Sequence, residues 1–156
     1  MKSMNIRIET LSIHDSEIVF DWVLRLLKEL EEEGEELGDL NRERVLSGWK
    51  ERPGKYDVLV ARNPSNEIVG ILTLATAFAI YANGEYGVID EMYVDPEYRS
   101  AGVGALLVQA AAGIGRERNW ARLDVTAPES KRWDRTRRFY EKQGFIFTGP
   151  KLKLLL

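Results

Sequence analysis

The chain has 156 residues, no cysteine and one histidine, His14, with 22 Lys and Arg against 25 Asp and Glu for a formal net charge of -3. That length predicts a single domain, and a composition of 44% hydrophobic and 30% charged residues is that of an ordinary folded globule. The missing thiols exclude disulfides, thiolate catalysis and Cys-ligated metals, and a lone histidine excludes multi-histidine sites, so no metal is expected. A mildly acidic balance gives no reason to expect nucleic acid as a partner. No apolar run approaches the roughly 18 residues of a membrane span. The first ten residues hold no apolar signal segment, so a cytoplasmic location is expected.

Ile6 and Ile8 alternate with polar neighbours and predict a short strand. Ser12, three residues before Asp15, is a helix-start signature, and Ile18, Trp22, Leu26 and Leu30 then recur at helical spacing. An acidic stretch over residues 29–39 follows, with seven carboxylates and no basic residue. Leu40, Val45, Leu46 and Trp49 predict a second helix, stopped by Pro53 and Gly54. From Tyr56 to Val94 three β-rich runs with short polar turns predict an antiparallel meander. Residues 102–119 read as a helix, 122–127 as a strand and 134–143 as a helix ended by Gly144. The tail from Gly144 splits at Gly149-Pro150 into two short strand-like pieces. The order predicts one α/β (α+β) domain covering the whole chain.

The segment from Val94 to Gly104 runs from a strand end, through a turn containing Pro96, into a glycine-rich helix entry. Such an entry leaves backbone N–H groups facing outward, with the helix dipole favouring an anion in front of them. Arg99 adds a fixed positive charge suited to phosphate. A P-loop would need Gly-Lys-Ser/Thr, which is missing, and a dinucleotide fingerprint fails because Leu107 stands where its third glycine belongs.

Arg99-x-x-Gly102-x-Gly104, preceded by the strand Ile89–Val94, resembles the acetyl-CoA signature of the Gcn5-related N-acetyltransferase (GNAT) family. Phe139-Tyr-Glu-Lys-Gln-Gly-Phe145 resembles that family's second motif, in the expected order and at the expected separation. The resemblance implies a central mixed, mostly antiparallel sheet with helices on both faces, and acetyl-CoA as co-substrate. It implies that the strand ending at Val94 splays from its parallel neighbour, with the pantetheine arm on the backbone of Met92, Tyr93 and Val94. Val94 N–H then stabilises the oxyanion. The pyrophosphate falls to the backbone N–H groups of Arg99, Ser100, Ala101, Gly102, Val103, Gly104 and Ala105. Tyr140 matches the tyrosine that protonates the departing thiolate, and Asp90 or Glu91 matches the base, with Asp90 slightly preferred. Period-2 alternation predicts that these two carboxylates lie on opposite faces. Trp133 and Thr136 stand where the family commonly has Asn and Ala. That Asn usually holds the pantetheine arm, and Thr126 offers a substitute hydroxyl.

With no cysteine for an acyl-enzyme, direct transfer to the amine is the expected mechanism. The acceptor side falls to the first two helices and the acidic stretch between them, which suits a cationic amine. Trp22, Trp49, Phe78 and Tyr81 are candidates for a pocket wall, with core packing as the ordinary alternative for the tryptophans. His14 reads as a surface or capping residue. The expected partner is a small-molecule amine; a protein N-terminus or lysine as acceptor, or a silent CoA-binding module, remain as alternatives. A homodimer fits small acetyltransferases of this type, although no residue marks an interface. The near-neutral charge hides a segregation, because residues 116–142 carry nine bases against five acids.

Overall fold

Alternating residues at the start of the chain form β1 (Arg7–Leu11), and the Ser12 signature closes a capping box there. Ser12 N–H donates to Asp15 Oδ2 at 3.0 Å, and His14 N–H donates to Ser12 Oγ at 3.2 Å. His14 itself is exposed. The computed structural model describes residues 5–32, 38–126, 133–149 and 151–156, so the middle of the acidic stretch lies outside the described residues. Helices α1 (Ser16–Glu32) and α2 (Arg42–Lys50) follow. The meander is β2 (Tyr56–Arg62), β3 (Ile68–Ala79) and β4 (Gly84–Val94). Then come α3 (Val103–Glu117), β5 (Leu123–Val125) and α4 (Trp133–Lys142).

One five-stranded sheet runs in the order β1-β2-β3-β4-β5. The first three pairings are antiparallel and the last is parallel, the mixed, mostly antiparallel sheet that the family resemblance implies. Helices cover both faces. On one, Val19 and Trp22 of α1 are buried against Val58, Val60 and Ile71, with Trp49 of α2 alongside. On the other, Val103, Leu107, Val108 and Ala111 of α3 make a stripe at helical spacing over Leu59, Leu72, Leu74 and Ile89, and Tyr140 of α4 joins them. Burying each of these aliphatic side chains contributes about 1.5–3 kcal/mol before the entropy cost of ordering it.

The tail departs from the sequence reading. Residues 145–149 and 151–156 form no strand. Leu152, Leu154 and Leu156 have the alternation of a strand but are exposed, and without a ladder partner that alternation does not make one. Among the described residues strand β5 is therefore an edge of the sheet. Among the described residues no helix is long and apolar enough to cross a membrane.

Candidate active site

Strand β4 changes hand part-way along its length. Thr73 of β3 pairs with Glu91 and Leu74 pairs with Ile89, so Asp90 is one extra residue, a β-bulge. Before it, Gly87 N–H donates to Arg122 O at 3.3 Å, toward β5. After it, Glu91 N–H donates to Thr73 Oγ1 at 3.0 Å and Asp95 N–H to Val69 O at 2.9 Å, both toward β3. N–H directions alternate along a strand, so Tyr93 N–H also faces β3 while Met92 and Val94 N–H face the opposite edge. Among the described residues no strand occupies that edge, because β5 pairs with β4 only over Gly87–Ile89. Of the three backbone amides implied by the resemblance, Met92 and Val94 are open and Tyr93 is taken by the sheet.

The bulge also exchanges faces for the side chains. Ile89 and Met92 pack with α3, whereas Tyr93 packs on the α1 side. Glu91 falls on the α1 side too, where fully buried Thr73 donates its hydroxyl to Glu91 Oε2 while accepting from Glu91 N–H. Burial holds the Glu91 carboxyl above the usual range; the Thr73 hydroxyl opposes that shift and the charge of Asp90 adds to it. Tyr56 is raised as well, chiefly by burial and then by the charge of Glu91. Asp90 is raised by partial burial, offset by the positive charge of Lys151 in the tail. Strict alternation would have sent the two carboxylates to opposite faces. The extra residue removes that separation, and both act electrostatically on Tyr56.

Aromatic rings pack on the same side of the sheet. Trp49 packs edge-on to Tyr56, with centroids 5.5 Å apart, and Trp22 packs edge-on to Tyr93 at 6.1 Å. Phe78 and Tyr81, the other wall candidates, are 75% and 68% exposed at the far end of the β3–β4 hairpin and take no part.

Beyond Val94 the chain turns through Asp95, whose carboxylate accepts from Glu97 N–H at 2.9 Å. Ser100 and Gly102 both adopt positive φ, 74° and 82°, which swings the chain into α3; at 102 only glycine does so at no steric cost. Arg99 N–H and Ala101 N–H bond back inside the turn, to Pro96 O and Tyr98 O. Leu106 N–H is the donor that closes the first helical bond, to Gly102 O at 3.2 Å. The N–H groups of Val103, Gly104 and Ala105 are therefore directed out of the helix end, so the anion cradle is narrower than residues 99–105. The Arg99 side chain does not stand free beside it. Its Nε donates to Val94 O at 3.0 Å, and Nη1 and Nη2 each donate to a carboxylate oxygen of Glu29 at 2.9 Å.

Helix α4 closes the site from the α3 side. A Cβ on Gly104 would lie 3.1 Å from Phe139 Cζ and 3.7 Å from Met92 Cε, so the first turn of α3, the end of β4 and α4 meet there. Tyr140, 8% exposed, is wedged between Phe139 and Phe145 at centroid distances of 5.0 and 5.5 Å. Burial pushes its phenol well above the usual tyrosine range, so it is protonated at neutral pH. Tyr140 and Thr126 both line a groove of about 800 Å³ along the free side of β5, walled by Val108, Arg137 and Phe147. Asp90, Glu91 and residues 99–105 do not line it. Trp133 opens α4, but its side chain lies outside the described residues, as do residues 127–132 before it.

Comparison with known proteins matches this arrangement to a family. The acetyltransferase (GNAT) domain matches residues 54–147, which hold the meander, the bulge, the loop and both motifs. The chain belongs to the GNAT acetyltransferase family. A glucosamine 6-phosphate N-acetyltransferase of Trypanosoma brucei brucei is 30% identical over 147 residues, covering 87% of this chain and 97% of that protein. Solved structures share the fold, among them the following two. An aminoglycoside acetyltransferase from an uncultured soil metagenomic sample, in complex with sisomicin, superposes with a TM-score of 0.76 at 21% identity over 97% of this chain and 96% of its own. A predicted acetyltransferase from Clostridium acetobutylicum, with acetyl-CoA, gives 0.77 at 20% identity over 96% of each.

As a GNAT acetyltransferase, the chain gathers Asp90, Glu91, Met92 and Val94 on one stretch of β4, with the α3 entry and Phe139 against it. Thr126 and Tyr140 belong to the neighbouring β5 groove. Sequence reasoning did not single out Thr73, Tyr56 or Glu29. Thr73 sits in an apolar strand run, where a lone threonine is an ordinary strand residue, and Glu29 is hidden among seven acids.

Proposed function

We propose that this acetyltransferase transfers the acetyl group of acetyl-CoA to a primary amine of a small cationic molecule by direct attack. The observation that carries the reading is Glu91, a carboxylate half-buried on the α1 side and held at both backbone and side chain by Thr73. It lies one and three residues from the open N–H groups of Met92 and Val94. The open β4 edge and the outward N–H groups of Val103, Gly104 and Ala105 fit a pantetheine arm and a pyrophosphate.

Bound acetyl-CoA supplies the thioester, whose C–S bond breaks as the new C–N bond forms. Met92 and Val94 present N–H donors to the arm and to the carbonyl oxygen, where negative charge develops. Glu91, with its affinity for protons raised by burial, accepts the proton that the amine gives up; Asp90 is the competing candidate. Tyr140 carries the proton that the departing sulfur takes. The edge-packed rings of Trp49 and Tyr56 suit a cation on the acceptor side. The similarity to a glucosamine 6-phosphate N-acetyltransferase and to an aminoglycoside acetyltransferase supports a small amine over a polypeptide.

A thiol-release assay with acetyl-CoA tests this over hexosamine phosphates, aminoglycosides, polyamines and peptides bearing free N-termini or lysines. Turnover with a small amine and none with the peptides is the expected outcome. Turnover confined to peptides overturns the acceptor class, and CoA binding without turnover of any amine favours a silent module.

A further inference from the structure

Arg99 belongs to the signature loop, yet its guanidinium spans from that loop to the other side of the sheet. Its Nε caps Val94 O, the last carbonyl of β4, at 3.0 Å. Val94 O points to the same open edge as Val94 N–H, because both groups of a residue in an antiparallel strand face one way. Nη1 and Nη2 engage both oxygens of Glu29 at 2.9 Å, a parallel fork. The pair is partly buried, with side-chain exposures of 34% and 20%. The guanidinium also lies over the Tyr93 ring, 5.3 Å from its centroid, and Tyr93 contacts Trp22. Trp22 and Glu29 are seven residues apart on α1, two turns along one face. The end of β4, the phosphate-loop arginine and the acceptor-side helix thus form one connected unit.

We propose that Glu29 is a positioning residue for acetyl-CoA: through Arg99 it fixes the end of β4 and the turn that presents the outward N–H groups of Val103, Gly104 and Ala105. The inference rests on the reading of that loop as the pyrophosphate site. Without Glu29 the guanidinium loses its second anchor, and Val94 and the turn regain freedom that the co-substrate must then remove on binding. The effect belongs to acetyl-CoA and not to the amine. It also depends on the fork geometry and not on charge alone, because lysine cannot span both carboxylate oxygens while capping Val94 O.

The test measures CoA affinity by titration calorimetry, the KM values for acetyl-CoA and for the amine, and the thermal midpoint of the free protein. Glu29→Gln is expected to weaken CoA binding and raise the acetyl-CoA KM about tenfold, with a much smaller change in the amine KM. Arg99→Lys gives the same change, and the double variant is no worse than either single, since both break one unit. Glu32→Gln, which removes an equal charge from an exposed position on the same helix, leaves CoA affinity at the native value. Native CoA affinity in Glu29→Gln, or effects that multiply in the double variant, overturns the inference while the loop reading stands. A native protein that does not bind CoA overturns the loop reading and the inference with it. An equal loss in Glu32→Gln shows a general charge effect and also overturns the role given to Glu29.

Discussion

Gly87–Ile89 and Glu91–Val94 are halves of one strand, yet they do different work. The first half is sheet: it pairs with β3 on one side and β5 on the other, with Gly87 N–H donating to Arg122 O, and Ile89 is buried under α3. Among the described residues the second half has no strand on its open edge, and its side chains change faces, so Glu91 meets Thr73 and Tyr56 instead of α3. One inserted residue, Asp90, separates the two states. A single register shift both turns the N–H groups of Met92 and Val94 to the open edge and brings a carboxylate to the opposite face, so binding and proton transfer share one structural cause. It teaches that moving the extra residue along β4 would change which N–H groups face the open edge as well as where the carboxylate points.

The largest expected effect tests the second half directly. Glu91→Gln keeps the size of the side chain and removes the base, so kcat falls by about 10²–10⁴. Asp90→Asn is expected to cost about tenfold or less, because Asp90 is the more exposed of the two carboxylates and feels the charge of Lys151. The native rate rises with pH as the raised Glu91 carboxyl loses its proton, and the Gln variant loses that limb. Steady-state profiles of both variants decide the assignment: a larger loss in Asp90→Asn transfers the base to the bulged residue. Tyr140→Phe comes next, with kcat lowered by about 10² and both KM values nearly unchanged. Since the ring is packed between Phe139 and Phe145, the variant keeps its shape, and an unchanged kcat removes Tyr140 from the chemistry.

Thr73→Val is a finer probe of the same contrast. It keeps the β-branched shape in a fully buried position but removes the hydroxyl that holds Glu91. A hydrogen bond to a charged group contributes about 1.5–3 kcal/mol, so a loss on the order of tenfold in kcat is expected. The Thr73 hydroxyl lowers the Glu91 pKa, so its removal shifts the acid limb to higher pH. Thr73→Ser restores both rate and profile if the hydroxyl is responsible. An unshifted profile in the valine variant would show that Thr73 only fills space.

The motifs and the element order were legible in the sequence because each is local. Glycine at 102 and proline at 96 punctuate a loop, and apolar spacing marks α1 and α3 whatever they pack against. The bulge was not legible. Nothing in Ile89-Asp-Glu-Met92 shows which residue is extra, since that depends on pairing with Thr73 and Leu74, and the alternation rule therefore assigned the carboxylates to the wrong relation. The pairing of Arg99 was not legible for a related reason: its partner Glu29 is seventy residues away and looks like its acidic neighbours. The tail was over-read because alternation signals a strand only when an edge receives it.

The smallest effect concerns stability, and it separates the halves of β4 by their cost. A carboxylate held above its usual value of 4.5 binds its proton in the folded chain at pH values where the unfolded chain has already lost it. The unfolded state then binds fewer protons, and stability falls as pH rises from about 4.5 through the raised value. At neutral pH the fold therefore carries a buried charge that opposes it, and Glu91→Gln removes that charge while keeping a group able to pair with Thr73. A gain on the order of 1 kcal/mol, or about 2–4 °C in thermal midpoint, is expected at pH 7. The gain should vanish below pH 4.5, where both states of the native protein are protonated. Thermal melts of the native protein and the Gln variant from pH 4 to 8 measure this difference. Parallel curves would mean that Glu91 is solvated well enough to ionise freely, which would leave the second half of β4 with an open edge but without a strained base.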